Sequence, residues 1–212
     1  MKRRLILLVC GLVVGLPGGL WGQAAGHHHR GMGRSMALLI DHSLETGWPL
    51  STIQTLSMER IALEMAVGLW RGESWYLEYS MSVFPLALVR NNPLTPSIPV
   101  EGGWVVAYGS PRATSLGSGL HPLGARGGWG LGRMTAYGGL SAGMIVFDKA
   151  TPGSNASHAN FSGDLEVGVR VAIADGVDLM AGYQFNHVSN AAFGEENPGL
   201  DSHMIRIGLR KW

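Results

Sequence analysis

The sequence predicts an all-β fold, a small antiparallel transmembrane β-barrel of eight strands, and three observations lead there. An export signal opens the chain. Behind it, segments with period-two alternation recur, oily on one face and polar on the other. Beyond the signal, no uninterrupted apolar run reaches the roughly 20 residues of a spanning helix. In hydrocarbon only helices and closed sheets satisfy their backbone groups, so a membrane reading requires a barrel.

In chain order, residues 1–24 form the signal peptide. Lys2, Arg3 and Arg4 precede the apolar run LILLVCGLVVGL, and the small-residue stretch GQAAG follows, with cleavage expected after Ala24 or Ala25. Lipidation at Cys10 is disfavoured, because Val9 is a poor small residue before it and little apolar sequence precedes it. The single cysteine leaves with the signal, so neither a disulfide nor thiol chemistry is expected. Removing 24 of the 212 residues leaves 188, enough for one domain, and takes the net charge from +1 to −2. Nothing in this balance points to nucleic acid.

Residues 25–56 are an N-terminal tail with a first strand expected near 36–43, and residues 57–212 are the barrel domain. Within that domain strands are expected at 59–70, 74–90, 113–122, 133–147, 158–173, 176–189 and 201–212. Single-chain bacterial barrels normally have an even strand number, which is the reason for the eighth near 36–43. The clearest alternation sets Leu165, Val167, Val169, Val171 and Ile173 against Glu166, Gly168, Arg170 and Ala172. Ile61, Leu63, Met65 and Val67 oppose Glu64 and Gly68 in the same way, as Trp75, Leu77 and Tyr79 oppose Glu78 and Ser80. An oily outer face implies that Glu64, Glu78, Glu166, Arg170, Asp178, Arg206 and Arg210 fill the lumen as a packed charge network. RNNPLTPSIPVEGG and residues 151–160 read as loops, and Ala174-Asp175-Gly176 as a tight hairpin turn.

The chemistry concentrates in GYQFNHVSNAAFGEENPGLDSH. Alternation puts His187 and Ser189 on the apolar, outward face, about 7 Å apart along the strand. Asp201 shares parity with His203, Ile205 and Ile207 in the last strand. A polar trio on a lipid-facing wall is expensive without a use. The residue types suit acyl transfer: serine needs an imidazole to take its proton, and the imidazole needs a carboxylate to fix its tautomer. Asn190 and Asn197, with backbone N–H groups of the intervening turn, can supply the oxyanion donors. No metal or organic cofactor is called for.

The run HVSNA, then NPGLDS, then an amphipathic strand, resembles the lipid A 3-O-deacylase family and its relatives labelled acyloxyacyl hydrolases. The similarity extends more loosely through TPGSNASHANFSGDLEVGVRV and SWYLEYSMSVFPLALVRNNP. The resemblance implies an eight-stranded outer-membrane barrel with a Ser-His-acid triad on its outer surface, cleaving a fatty ester of lipid A (lipopolysaccharide). Carried over residue by residue, it implies His187 as base, Ser189 as nucleophile, Asp201 as acid and Asn197 as oxyanion donor. Aspartate stands where the family carries glutamate, one methylene longer, so Asp201 reaches His187 only if the two strands sit closer. A second copy of the chain stays open as a partner, as do the alternative functions of a non-catalytic structural barrel and a small porin.

Other motifs read differently. Gly139-Leu140-Ser141-Ala142-Gly143 matches the nucleophile-elbow pattern, but that pattern needs a strand-to-helix turn, and here it falls within a glycine-rich strand, where barrel packing explains it. His27-His28-His29 lies in the tail without a carboxylate cage. Trp212 resembles the terminal aromatic of barrel strands, yet Leu209, Ile207 and Ile205 are out of phase with it.

Overall fold

A computed structural model describes residues 33–46, 56–91, 98–100, 103–105, 114–152, 156–191 and 199–212. Residues 1–32, which hold the expected signal peptide and His27–His29, lie outside the described residues. The strands are β1 (Arg34–Thr46), β2 (Leu56–Arg71), β3 (Trp75–Asn91), β4 (Ile98–Val100), β5 (Gly103–Val105), β6 (Thr114–Leu131), β7 (Met134–Thr151), β8 (Ser157–Ala174), β9 (Val177–Ser189) and β10 (Leu200–Lys211). Eight of them close an antiparallel barrel in the order β1-β10-β9-β8-β7-β6-β3-β2. The eighth strand expected near 36–43 is β1, which closes the barrel by pairing with both β2 and β10.

Two departures from the sequence reading have local causes. The short strand β4 falls inside the stretch read as a loop after β3 and pairs with β5, which begins at the last residue of that stretch, Gly103. β6 runs to Leu131 instead of ending near 122. Pro122 and the glycine-rich segment after it look like a strand end, but the proline sits in a register shift on both sides of β6, after which the ladder resumes. Proline lacks an N–H for a ladder and is tolerated at such a shift.

The oily face points outward. Ile40, Met65, Leu140, Leu165, Val167 and Ile207 are exposed on the wall. Near the short turns Trp70 and Trp75 stack, ring centroids 6.1 Å apart and planes 9° apart, and Trp129 pairs with Trp75 in register. Such aromatics mark the rim of a membrane-spanning barrel's apolar band. Short turns join β2 to β3, β6 to β7 and β8 to β9 at this end. Gly132 and Gly176 take left-handed φ values of 68° there, and Asp175-Gly176 makes the predicted tight hairpin. The strand ends Thr151, Ser157, Ser189 and Leu200, which flank two longer connections, lie at the opposite end.

The charged residues point inward and hold one another. Arg126 bonds Glu64 at 2.6 and 2.7 Å, Glu78 at 3.1 Å and Glu166 at 2.7 Å. Glu78 receives Arg210 at 2.7 and 2.6 Å, and Glu166 receives Arg206 at 2.7 Å. Arg206 continues to Asp41, Asp41 to Arg60, and Arg60 to Asp164. A buried charge is tolerated when paired in this way. All seven luminal charges named from the sequence are buried. Asp41, Arg60, Arg126 and Asp164, missed there, carry the network across β1, β2, β6 and β8. Toward the long loops the lumen closes with an apolar cluster that includes Met58, Val89, Phe147, Val188, Leu200 and Met204. Trp212 is out of phase with Leu209 because it turns inward: its Nε1 donates to Asp178 at 2.7 Å, and the Arg210 guanidinium lies 4.2 Å from its ring.

Candidate active site

At the long-loop end, β9 and β10 meet in a register that sets Asp201 directly opposite His187. Along β9, Gln184, Asn186 and Val188 are fully buried toward the lumen, so His187 and Ser189 take the outward phase between and beyond them. Nδ1 of His187 lies 2.6 Å from Oδ1 of Asp201. The shorter aspartate therefore reaches the imidazole without help from a longer side chain, because direct cross-strand partners already stand about 5 Å apart.

The environment of the acid differs from what parity alone implies. Asp201 is fully covered, whereas the His187 side chain is 30% exposed. Leu200, Asp201 and Ser202 are consecutively buried, so the alternation that resumes at Met204 and Ile205 is interrupted where β10 begins. The acid lies on the outward phase but under its neighbours, and a carboxylate so buried needs a partner. His187 supplies one.

Ser189 ends β9. Its Oγ accepts a hydrogen bond from Ala191 N at 3.2 Å, a local serine turn that takes the chain out of the sheet. Ala191 adopts φ 49°, left-handed for a residue with a side chain. Asn190 between them is buried. Asn197, the other expected oxyanion donor, lies outside the described residues. His203 follows Asp201 by two residues on β10, its Nδ1 2.5 Å from the Tyr183 hydroxyl and its ring 5.5 Å from that of Phe185.

A second serine, histidine and aspartate meet inside the barrel. His121 Nδ1 lies 2.9 Å from Ser141 Oγ and 3.4 Å from Asp164 Oδ2, and Ser141 Oγ is 3.5 Å from the same carboxylate oxygen. Ser141 is in the middle of β7, with no strand-to-helix elbow. The glycines of its motif serve packing: a Cβ on Gly143 would lie 1.9 Å from Leu120 O, and one on Gly139 2.9 Å from Ala125 O. Of this inner trio, alternation from Glu166 would have assigned Asp164 to the lumen. His121 had no such signal, because the shift at Pro122 hides its phase.

A family model described as lipid A 3-O-deacylase (PagL) matches residues 59–210. No curated protein matches the sequence significantly. Among solved structures, the crystal structure of the outer membrane enzyme PagL superposes with a TM-score of 0.57 at 13% identity, covering 82% of this chain and 97% of that one. Neisserial surface protein A gives a TM-score of 0.49 at 15% identity over 84% of this chain and 96% of that one. The Ail protein of Yersinia pestis gives 0.41 at 13% identity over 84% and 97%. At 13% identity the PagL superposition speaks for the fold alone, and the family match speaks for kinship.

Proposed function

Because the chain belongs to the lipid A 3-O-deacylase family, we propose that it is an outer-membrane serine esterase removing an ester-linked acyl chain from lipid A, with Ser189, His187 and Asp201 as its triad. The observation that carries this reading is the 2.6 Å contact between His187 Nδ1 and buried Asp201, made on the outer wall two residues before Ser189. Nδ1 is the nitrogen a carboxylate must hold for Nε2 to act as base.

The steps follow from these groups. Ser189 Oγ attacks the ester carbonyl carbon while His187 Nε2 takes its proton, and Asp201 stabilises the imidazolium. The tetrahedral intermediate collapses, the sugar alkoxide leaves with the proton held by His187, and the acyl chain stays on Ser189. Water, deprotonated by His187, then releases the fatty acid. The backbone N–H of Asn190, next to the nucleophile, and Asn197 are the proposed oxyanion donors; one such donor is worth about 3 kcal/mol at the transition state. An outward site suits a substrate that is itself a membrane lipid, since it arrives by lateral diffusion. With short turns toward the periplasm and long loops outside, as is general for such barrels, the site stands at the outer leaflet.

Mass spectrometry of lipid A from cells making the wild-type chain or Ser189→Ala tests the proposal. The expected result is loss of one acyl chain that depends on Ser189. Identical spectra from the two strains would overturn it and leave a structural barrel.

A further inference from the structure

The luminal face directly behind the site is organised around one carboxylate. Asp164 on β8 is fully engaged by side chains from four other strands: Arg60 of β2 at 3.2 and 3.1 Å, His121 of β6 at 3.4 Å, Ser141 of β7 at 3.5 Å and Asn186 of β9 at 2.6 Å. The last contact is the shortest. Asn186 also donates from the same Nδ2 to Ser162 Oγ at 2.9 Å and Gly163 O at 3.2 Å, so its amide is fixed to three consecutive residues of β8. Asn186 immediately precedes His187, and Gly163 is the β8 register partner of His187. The peptide that carries the outward imidazole is therefore anchored from the inside.

We propose that Asp164 is a positioning residue for His187, acting through the wall by way of Asn186. The physical reason is the pleat. A strand residue pinned on one face fixes the backbone orientation of its neighbours, whose side chains leave by the other face. Arg60 holds Asp164 with two parallel bonds and is itself held by Asp41, so the anchor cannot follow a drifting Asn186. The site needs this support because it stands at the end of β9, where the ladder gives out after Ser189. Catalytic geometry is lost with small displacements, a shift of about 1 Å costing on the order of 100-fold in rate.

The inference rests on the catalytic reading above, and its test separates the two. Asn186→Ala removes the link and leaves Asp164 paired with Arg60; Asp164→Asn weakens the hub; Glu78→Gln perturbs the same charge network near the short turns. Each variant is refolded as the full barrel in detergent micelles. kcat and KM on purified lipopolysaccharide are measured per folded molecule, and the Nδ1–H signal of His187 is followed by NMR with labelled histidine. Expected are a fall in kcat of about 10- to 100-fold for Asn186→Ala and Asp164→Asn, an unchanged KM and a displaced or broadened His187 signal. Glu78→Gln retains wild-type values of all three. An unaltered kcat and His187 signal in Asn186→Ala, or an equal loss in Glu78→Gln, would overturn the role of Asp164. If the wild-type barrel releases no acyl chain, the catalytic reading fails. The NMR comparison alone then decides, an altered His187 signal in Asn186→Ala supporting the anchor and an unaltered one removing it.

Discussion

Inside the barrel His121, Ser141 and Asp164 meet within hydrogen-bonding range, and on its outward phase His187, Ser189 and Asp201 share a rim, so the barrel carries the same three residue types on its two faces. The inner set crowds serine and carboxylate onto the same imidazole nitrogen, Nδ1, and the carboxylate is claimed by Arg60. His121 is fully buried and its Nε2 meets no partner among the described residues. The outer set gives Nδ1 to the acid, and its imidazole remains accessible. The difference lies in which nitrogen faces the acid and which imidazole is exposed. A proton relay needs two separate ring nitrogens, whereas a structural cluster does not.

Exchanging the two serines breaks or sharpens that contrast most strongly. Ser189→Ala is expected to lower the rate of acyl release by at least about 10⁴-fold, as loss of a triad nucleophile does. Ser141→Ala is expected to keep activity within about threefold of wild type, because the two contacts it removes, to His121 and Asp164, are luminal and leave Asp164 held by Arg60 and Asn186. Release of fatty acid from lipopolysaccharide, normalised to folded protein, reads both. A loss in Ser141→Ala matching that of Ser189→Ala would mean the two faces do not differ as described.

The next effect belongs to the outer acid. Asp201→Asn keeps the shape but presents the wrong group to Nδ1, and a drop in kcat of about 10³- to 10⁴-fold is expected. Asp201→Glu probes the register. Because Asp201 already stands opposite His187 at contact distance, the added methylene must be accommodated in a fully covered position, and activity below wild type is expected. Wild-type or higher activity in Asp201→Glu would show that the site was built for the longer acid.

Charges of the lumen affect a different quantity. Arg126 joins three carboxylates, and Arg126→Ala leaves Glu64, Glu78 and Glu166 short of a cation. Removing one partner of a buried pair costs about 3–5 kcal/mol, so a large loss of stability is expected in urea unfolding from lipid vesicles. Activity of the molecules that remain folded should persist. Loss of activity at full stability would place Arg126 among the groups that shape the outer site.

Much of this was legible in the sequence because a barrel wall is a period-two object. Leu165 to Ile173 and Glu166 to Arg170 separate by parity alone, and the same parity put His187 and Ser189 outside. Parity cannot supply register. That Asp201 falls opposite His187 depends on where β10 begins, and Asp201, Ser202 and Leu200 are all buried in spite of alternation. Nor does parity survive an irregularity: Pro122 concealed both the second half of β6 and the phase of His121 and Arg126. The link from Asp164 to Asn186 was out of reach for a further reason, since it joins residues 22 apart whose strands had to be paired first.

The smallest effect tests whether the outer set depends on its turn as the inner set does not. Ser141 sits mid-strand, held on both sides by ladder bonds, whereas Ser189 is followed by a left-handed Ala191 whose amide bonds Ser189 Oγ. A left-handed alanine costs roughly 1 kcal/mol, and glycine adopts the same conformation without steric cost. Ala191→Gly is therefore expected to raise unfolding stability by up to about 1 kcal/mol, less the entropy glycine gains in the unfolded chain. Its looser turn lets the Ser189 hydroxyl sample more orientations, so kcat is expected to fall a few-fold with KM unchanged. Strain retained beside the proposed nucleophile is the pattern expected where geometry serves chemistry. An Ala191→Gly barrel more stable and fully active would reduce that turn to a simple strand ending, and would leave the His187–Asp201 register as the feature that sets the outer wall apart from the inner one.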